Sequence, residues 1–177
     1  MKSAHLNQLK DKLTHHFDFM PESEAEFGDI FFDLAAKSCI RNEAFLLVKS
    51  AVMYSFENNE YCFVKETNHV DSALIDQVET ALAEAARKYV VPSDEHMSTA
   101  LTGILLTTGP VDPKLLSRIE RFRKQKTFLL GLRGWISYRL ILIETESETV
   151  TASKEARKIA RFYKPDRSAS LSERCES

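Results

Sequence analysis

The sequence predicts an α/β protein with a mixed sheet of five or six strands flanked by helices, antiparallel at the front and parallel at the back. Three observations predict it. Two apolar stretches, 29–37 and 45–65, are rich in the bulky and β-branched residues of strands, and no helical pattern separates them. Further along, apolar runs alternate with segments whose apolar residues recur every three or four positions, the pattern of strands joined by helices. Among the 177 residues, 44% hydrophobic and 28% charged with 5 Gly and 5 Pro is the composition of a globular protein rather than a disordered or fibrous one. A single domain of residues 1–164 is expected, followed by a polar, flexible tail at 165–177.

The first element is an amphipathic helix, in which Leu6, Leu9, Leu13, Phe17 and Met20 share a face, Ser3 is the N-cap and Pro21 closes the pattern. A strand follows at Asp29–Lys37, after Gly28. The long apolar stretch from Phe45 then runs through Asn58-Asn59 into Tyr61–Lys65, and the Asn pair reads as a hairpin turn because Asn tolerates positive φ. The second helix puts Leu74, Val78, Leu82, Ala85 and Tyr89 on one face, with Asp71 as cap and Pro92 beyond its end. Ala100–Thr108 is a short, continuously apolar run and so a buried strand. Asp112-Pro113 supplies an N-cap with Pro at the first helical position, opening a third helix that buries Leu115, Ile119 and Phe122. Strand material runs from Phe128 to Ile143, as two short strands or as one bent by Gly131 and Gly134. A last helix over Ser153–Tyr163 turns Ala156, Ile159 and either Phe162 or Tyr163 inward.

The formal net charge of −2 hides a division along the chain. Residues 1–113 have a net charge of −9 and residues 114–167 of +8. Eight cations fall between positions 114 and 139, with Glu120 the only acid among them. Lys114, Arg118, Arg121, Arg123, Lys124, Lys126, Arg133 and Arg139 are thus the residues on which an anionic partner would act. Arg118 and Arg121 are neighbours on a helix, and Arg133, Trp135 and Arg139 share parity on a strand. Arginines beside the single Trp suit phosphate contact with base stacking. The competing arrangement has Trp135 in the core and the arginines paired with the acidic first half.

Other chemistries find little support. The Asp94-Glu95-His96 loop brings carboxylates beside an imidazole, but consecutive residues diverge, so no more than two of them converge on one ion. Cys39, Cys62 and Cys175 form no Cys-x-x-Cys pair, which leaves reduced, buried thiols. No glycine loop of the phosphate-binding kind and no Gly-x-Ser-x-Gly is present, so no nucleotide cofactor is expected. No apolar run reaches the length of a membrane span, and the first residues lack the apolar block of a signal peptide, so a cytoplasmic protein without a membrane partner is expected.

Two resemblances arise at specific residues. Phe56–Phe63, Asp94–Thr99 and Leu132-Arg133-Gly134-Trp135 together resemble an uncharacterised prokaryotic family of domains of unknown function, which brings no activity with it. The element order, with Gly103–Gly109 before a helix, is similar to the restriction-endonuclease-like fold of Mrr-type nucleases. That likeness implies an acid on one hairpin strand and a Glu and a Lys two residues apart on the next, all on one face beside a divalent metal. Glu60 and Lys65 are five apart and Lys65 and Glu66 adjacent, so the pattern is missing, and only a degenerate set of Asp33, Glu57 or Glu60 remains. The resemblance implies the fold without its usual chemistry.

The expected function is a non-catalytic binding module for an anionic ligand, nucleic acid among the candidates. Arg118, Arg121, Lys126, Arg133 and Arg139 would hold the ligand, with Trp135 as the stacking surface. Two alternatives belong to other classes. One is a homo-oligomeric module, a homodimer in its simplest form, in which acidic and basic faces meet across a two-fold axis. The other is a metal-dependent enzyme, a degenerate nuclease.

Overall fold

Strand β6 (His96–Thr107) is apolar on both of its sides, which requires a sheet covered on both faces. Leu101 and Leu105 point into one layer, Ile104 and Leu106 into the other. The computed structural model describes residues 3–44, 54–91, 96–128 and 134–164. In chain order their strands are β1 (Asp18–Phe19), β2 (Glu26–Phe27), β3 (Ile30–Phe31), β4 (Leu34–Ala44), β5 (Tyr54–Thr67), β6, β7 (Lys124–Thr127), β8 (Trp135–Glu144) and β9 (Thr149–Ala152). The main sheet runs β1-β4-β5-β6-β8-β7, and β9 also pairs with β8. Among the described strands, only β5 with β6 and β6 with β8 are parallel; every other described pairing is antiparallel. The sheet is mixed, with its antiparallel pair before its parallel strands, as the sequence implies. It has seven strands rather than five or six.

The first face is covered by α2 (Ser72–Tyr89), α3 (Pro113–Arg121) and the small β2–β3 hairpin. Ile75, Val78, Leu82 and Ala85 of α2 and Ile119 of α3 pack on Phe63, Leu101, Leu105, Leu140 and Leu142. The second face carries α1 (Ala4–Thr14), whose Leu6, Leu9 and Leu13 meet Val64, Ile104, Ile141 and Ile143. Each helix begins where its cap predicts. Ser3 accepts from the Leu6 N–H, Asp71 from Leu74 and Asp112 from Lys114. At Gly103 the α2 side chains press directly on the β6 backbone: a Cβ there would lie 2.7 Å from Val78 Cγ1.

Five elements differ from the sequence expectation. The strand expected at Asp29–Lys37 is divided: Ile30–Phe31 pairs with β2 in the small hairpin, and β4 begins at Leu34. Asn58 and Asn59 are not a turn but lie inside β5, paired with Ile40 and Cys39 on one side and with Ser98 and Thr99 on the other. A central strand with partners on both edges overrides local turn propensity. The pair does mark an irregularity, because the β5–β6 register shifts between Glu57 and Asn58. α1 stops at Thr14 because Asp18 and Phe19 are captured by the β4 edge. α3 likewise ends at Arg121, and Lys124–Thr127 joins the edge of β8. The last helix is instead a pair of 3₁₀ turns, Lys154–Ala156 and Ala160–Tyr163, held to β8 by Ser153, whose hydroxyl accepts from the Leu140 N–H at 3.0 Å. The tighter turns bring both Ala156 and Tyr163 into the second core. The tail at 165–177 lies outside the described residues.

Candidate functional site

Along the C-terminal half of α2, the small side chains Ala83 and Ala86 leave space between the helix and β8. On the other side of that space, β7 pairs with β8 so that Lys124 is opposite Tyr138 and Lys126 opposite Ile136. Paired residues share a face, so both lysines stand on the α2 side of the sheet. The result is a groove of about 350 Å³ lined by Ala83, Ala86, Arg87, Val90, Lys126, Phe128, Ile136 and Tyr138. Its floor is apolar and aromatic, and its rim is cationic.

Among the described residues, the charges on that rim meet little neutralisation. The only carboxylate near Arg87 among the described residues is Glu84, one turn back at 4.0 Å, and the Arg87 side chain is 71% exposed. Such a contact is worth a few tenths of a kcal/mol. No described carboxylate lies within ion-pair distance of Lys124 or Lys126. Instead, the Lys126 ammonium is 5.2 Å from the Phe128 ring centre and Lys124 is 4.9 Å from that of Tyr138. Burial raises the pKa of the Tyr138 phenol, and the positive charge of Arg87 opposes that shift. Arg87 therefore acts electrostatically on the groove floor as well as standing at its edge.

The residues expected to form one basic stripe are distributed over both faces of the sheet. Arg118 is on the α2 side but engaged: its guanidinium donates to Asp76, to Glu79 at 2.8 Å and to the Ser72 hydroxyl at 2.8 Å. Arg121 is exposed on α3, and Lys126 lies on the groove rim. Trp135 and Arg139 share the opposite face, as their parity requires. Trp135 is 37% exposed and not a core residue. Arg139 Nη1 donates to Glu60 at 3.0 Å, so two of the expected ligand-binding arginines pair with the acidic first half. Arg133 falls outside the described residues. Of the groove's eight lining residues only Lys126 was anticipated, and those missed include its charged and aromatic members Arg87, Phe128 and Tyr138. The adjacent Arg87-Lys88 at the end of α2, with Ala83 and Ala86 before it, was the available signal.

The second face holds a polar row across three strands. Cys62, Thr102 and Arg139 are successive register partners on β5, β6 and β8. Burial raises the Cys62 thiol well above its ordinary value, and it raises the Tyr163 phenol as well, with the two groups hydrogen-bonded to each other. Cys39, expected to be buried, is exposed on the far half of β4, and Cys175 lies outside the described residues. Glu60 and Lys65 diverge as their spacing predicts: Glu60 takes Arg139, while Lys65 is 3.5 Å from Asp33 on the other face. Asp94, Glu95 and the side chains of Glu57 and His96 are outside the described set. Among the described residues, no three His, Cys, Asp or Glu side chains are grouped as metal ligands. No described helix is long and apolar enough to cross a membrane.

Neither the curated proteins nor the solved structures give a match to the chain. A family model described as a domain of unknown function, DUF8052, matches residues 1–165, and the chain belongs to that family.

Proposed function

We propose that the protein is a non-catalytic binding module whose α2–β7–β8 groove receives an anionic group borne on an apolar or planar body. One observation carries this reading: Arg87 and Lys126 face a common aromatic floor, and no described carboxylate neutralises Lys126. A cationic rim over Phe128 and Tyr138 suits a nucleic-acid strand, whose phosphates meet the cations while a base lies on the rings. The module is taken as one domain to residue 164 with a short tail, in the cytoplasm, where the free thiols Cys39 and Cys62 remain reduced. A restriction-endonuclease-like arrangement of α1, β4, β5, α2 and β6 is supported by their order and by the antiparallel and then parallel pairing.

The test is binding of the full chain to single- and double-stranded oligonucleotides at two salt concentrations. Saturable binding that weakens with salt, and further with Lys126→Ala, is the expected result. Absence of binding at low salt contradicts the nucleic-acid form of the reading. Among the described residues, no observation favours a metal-dependent enzyme.

A further inference from the structure

The β2–β3 hairpin presents an aromatic ring and carboxylates to solvent. Gly28 adopts φ +55° at its turn, a conformation that glycine takes at no steric cost. Phe27 and Ile30 point into the core, at 7% and 4% exposure, so alternation drives the cross-strand pair Glu26 and Phe31 outward. Phe31 is 43% exposed, and Glu26 and Asp29 are exposed beside it. Asp76, Gln77, Thr80 and Glu84 of α2 line the cleft next to the hairpin, whereas Ala83, Ala86, Arg87 and Val90 line the groove on the other side of the helix. One face of the molecule thus carries, on either side of α2, an acidic aromatic projection and a basic groove with an aromatic floor.

We infer that this face docks against a second copy of the chain, with each hairpin entering the groove of the other. Phe31 meets Phe128 and Tyr138, while Glu26 and Asp29 approach Arg87 and Lys126. A two-fold axis running along α2 exchanges its two sides, so one operation makes both contacts and closes the assembly. Charge complementarity selects this occupant. The only outward-facing Phe on the acidic side of α2 among the described residues is the one flanked by these carboxylates. The inference rests on the groove being the anion site and makes a protein carboxylate its occupant when no other anion is present.

Sedimentation of the full chain at low and high salt, alone and as variants, tests it. The expected result is a dimer at low salt that dissociates as salt rises. Asp29→Lys and Lys126→Glu should each raise the dimer Kd about tenfold or more. Mixing the two variants should restore a dimer, because the altered hairpin then meets the altered groove while the native hairpin meets the native groove; a misfolded variant would not recover. An excess of an oligonucleotide that binds the groove should also dissociate the wild-type dimer. A wild-type monomer that binds oligonucleotide through Lys126 overturns the dimer and leaves the groove reading intact. A salt-sensitive dimer that Lys126→Glu breaks, in a protein that binds no oligonucleotide, keeps the dimer and overturns nucleic acid as the ligand. A dimer indifferent to both charge reversals overturns this interface.

Discussion

Arg118 on α3 donates to Glu79 on α2 at 2.8 Å, and the same guanidinium reaches Asp76 and Ser72. One residue of the basic half thereby clamps two helices together through the acidic half. The Arg118 side chain is 30% exposed, so solvent screens the pair. Replacement by alanine should lower unfolding free energy by about 1 kcal/mol, read from the urea midpoint. Arg118→Lys should recover only part of this, because an ammonium lacks the planar fork. Oligonucleotide affinity should be unchanged in both.

Gly103 lies under α2 with no room for a side chain. Besides Val78, its added Cβ would meet Leu82 Cδ1 at 3.3 Å. Gly103→Ala should destabilise by about 1–3 kcal/mol through overpacking. If that contact is the cause, the double variant with Val78→Ala should be more stable than the two losses summed, as thermal denaturation of all four proteins would measure.

Burial raises the pKa of the Glu60 carboxyl, and the charge and hydrogen bond of Arg139 offset the shift only in part. Between the ordinary carboxylate value of 4.5 and the raised folded value, the folded protein keeps a proton that the unfolded chain has lost. The stability contributed by this group is therefore present below 4.5 and is lost as pH rises through the folded value. The difference in unfolding free energy between wild type and Glu60→Gln should move against the wild type over that interval. A difference that is flat with pH, or that moves the other way, contradicts the assignment.

The Cys62 thiol is fully buried and burial holds it protonated, so a thiol reagent should label it only on unfolding. The exposed Cys39 should react in the native state. Mass spectrometry of peptides labelled before and after denaturation separates the two.

What the sequence disclosed was chiefly what short-range physics determines. Ser3, Asp71 and Asp112 cap the helices they were expected to cap, since a cap needs only the next three residues. Strand parity likewise put Trp135 and Arg139 on one face and separated Glu60 from Lys65. Asn58-Asn59 misled because its backbone partners come from residues 39–40 and 98–99, beyond any local window. The groove was only half visible. Lys126 stood out as one of a run of cations, but its counterpart Arg87 belongs to α2, almost forty residues earlier, and only the α2–β6–β8 crossover brings them to one rim. Arg118 and Arg139 were indistinguishable from free cations until Glu79 and Glu60 were placed beside them.

The most direct test of the groove compares oligonucleotide binding by the wild type, the Arg87→Ala, Lys126→Ala double variant and Arg139→Ala, across a salt series. If the groove is the anion site, the double variant should bind at least about tenfold more weakly, with a salt slope shallower by up to about two phosphate contacts, while Arg139→Ala binds like the wild type. Equal affinity and slope in the wild type and the double variant would contradict the account.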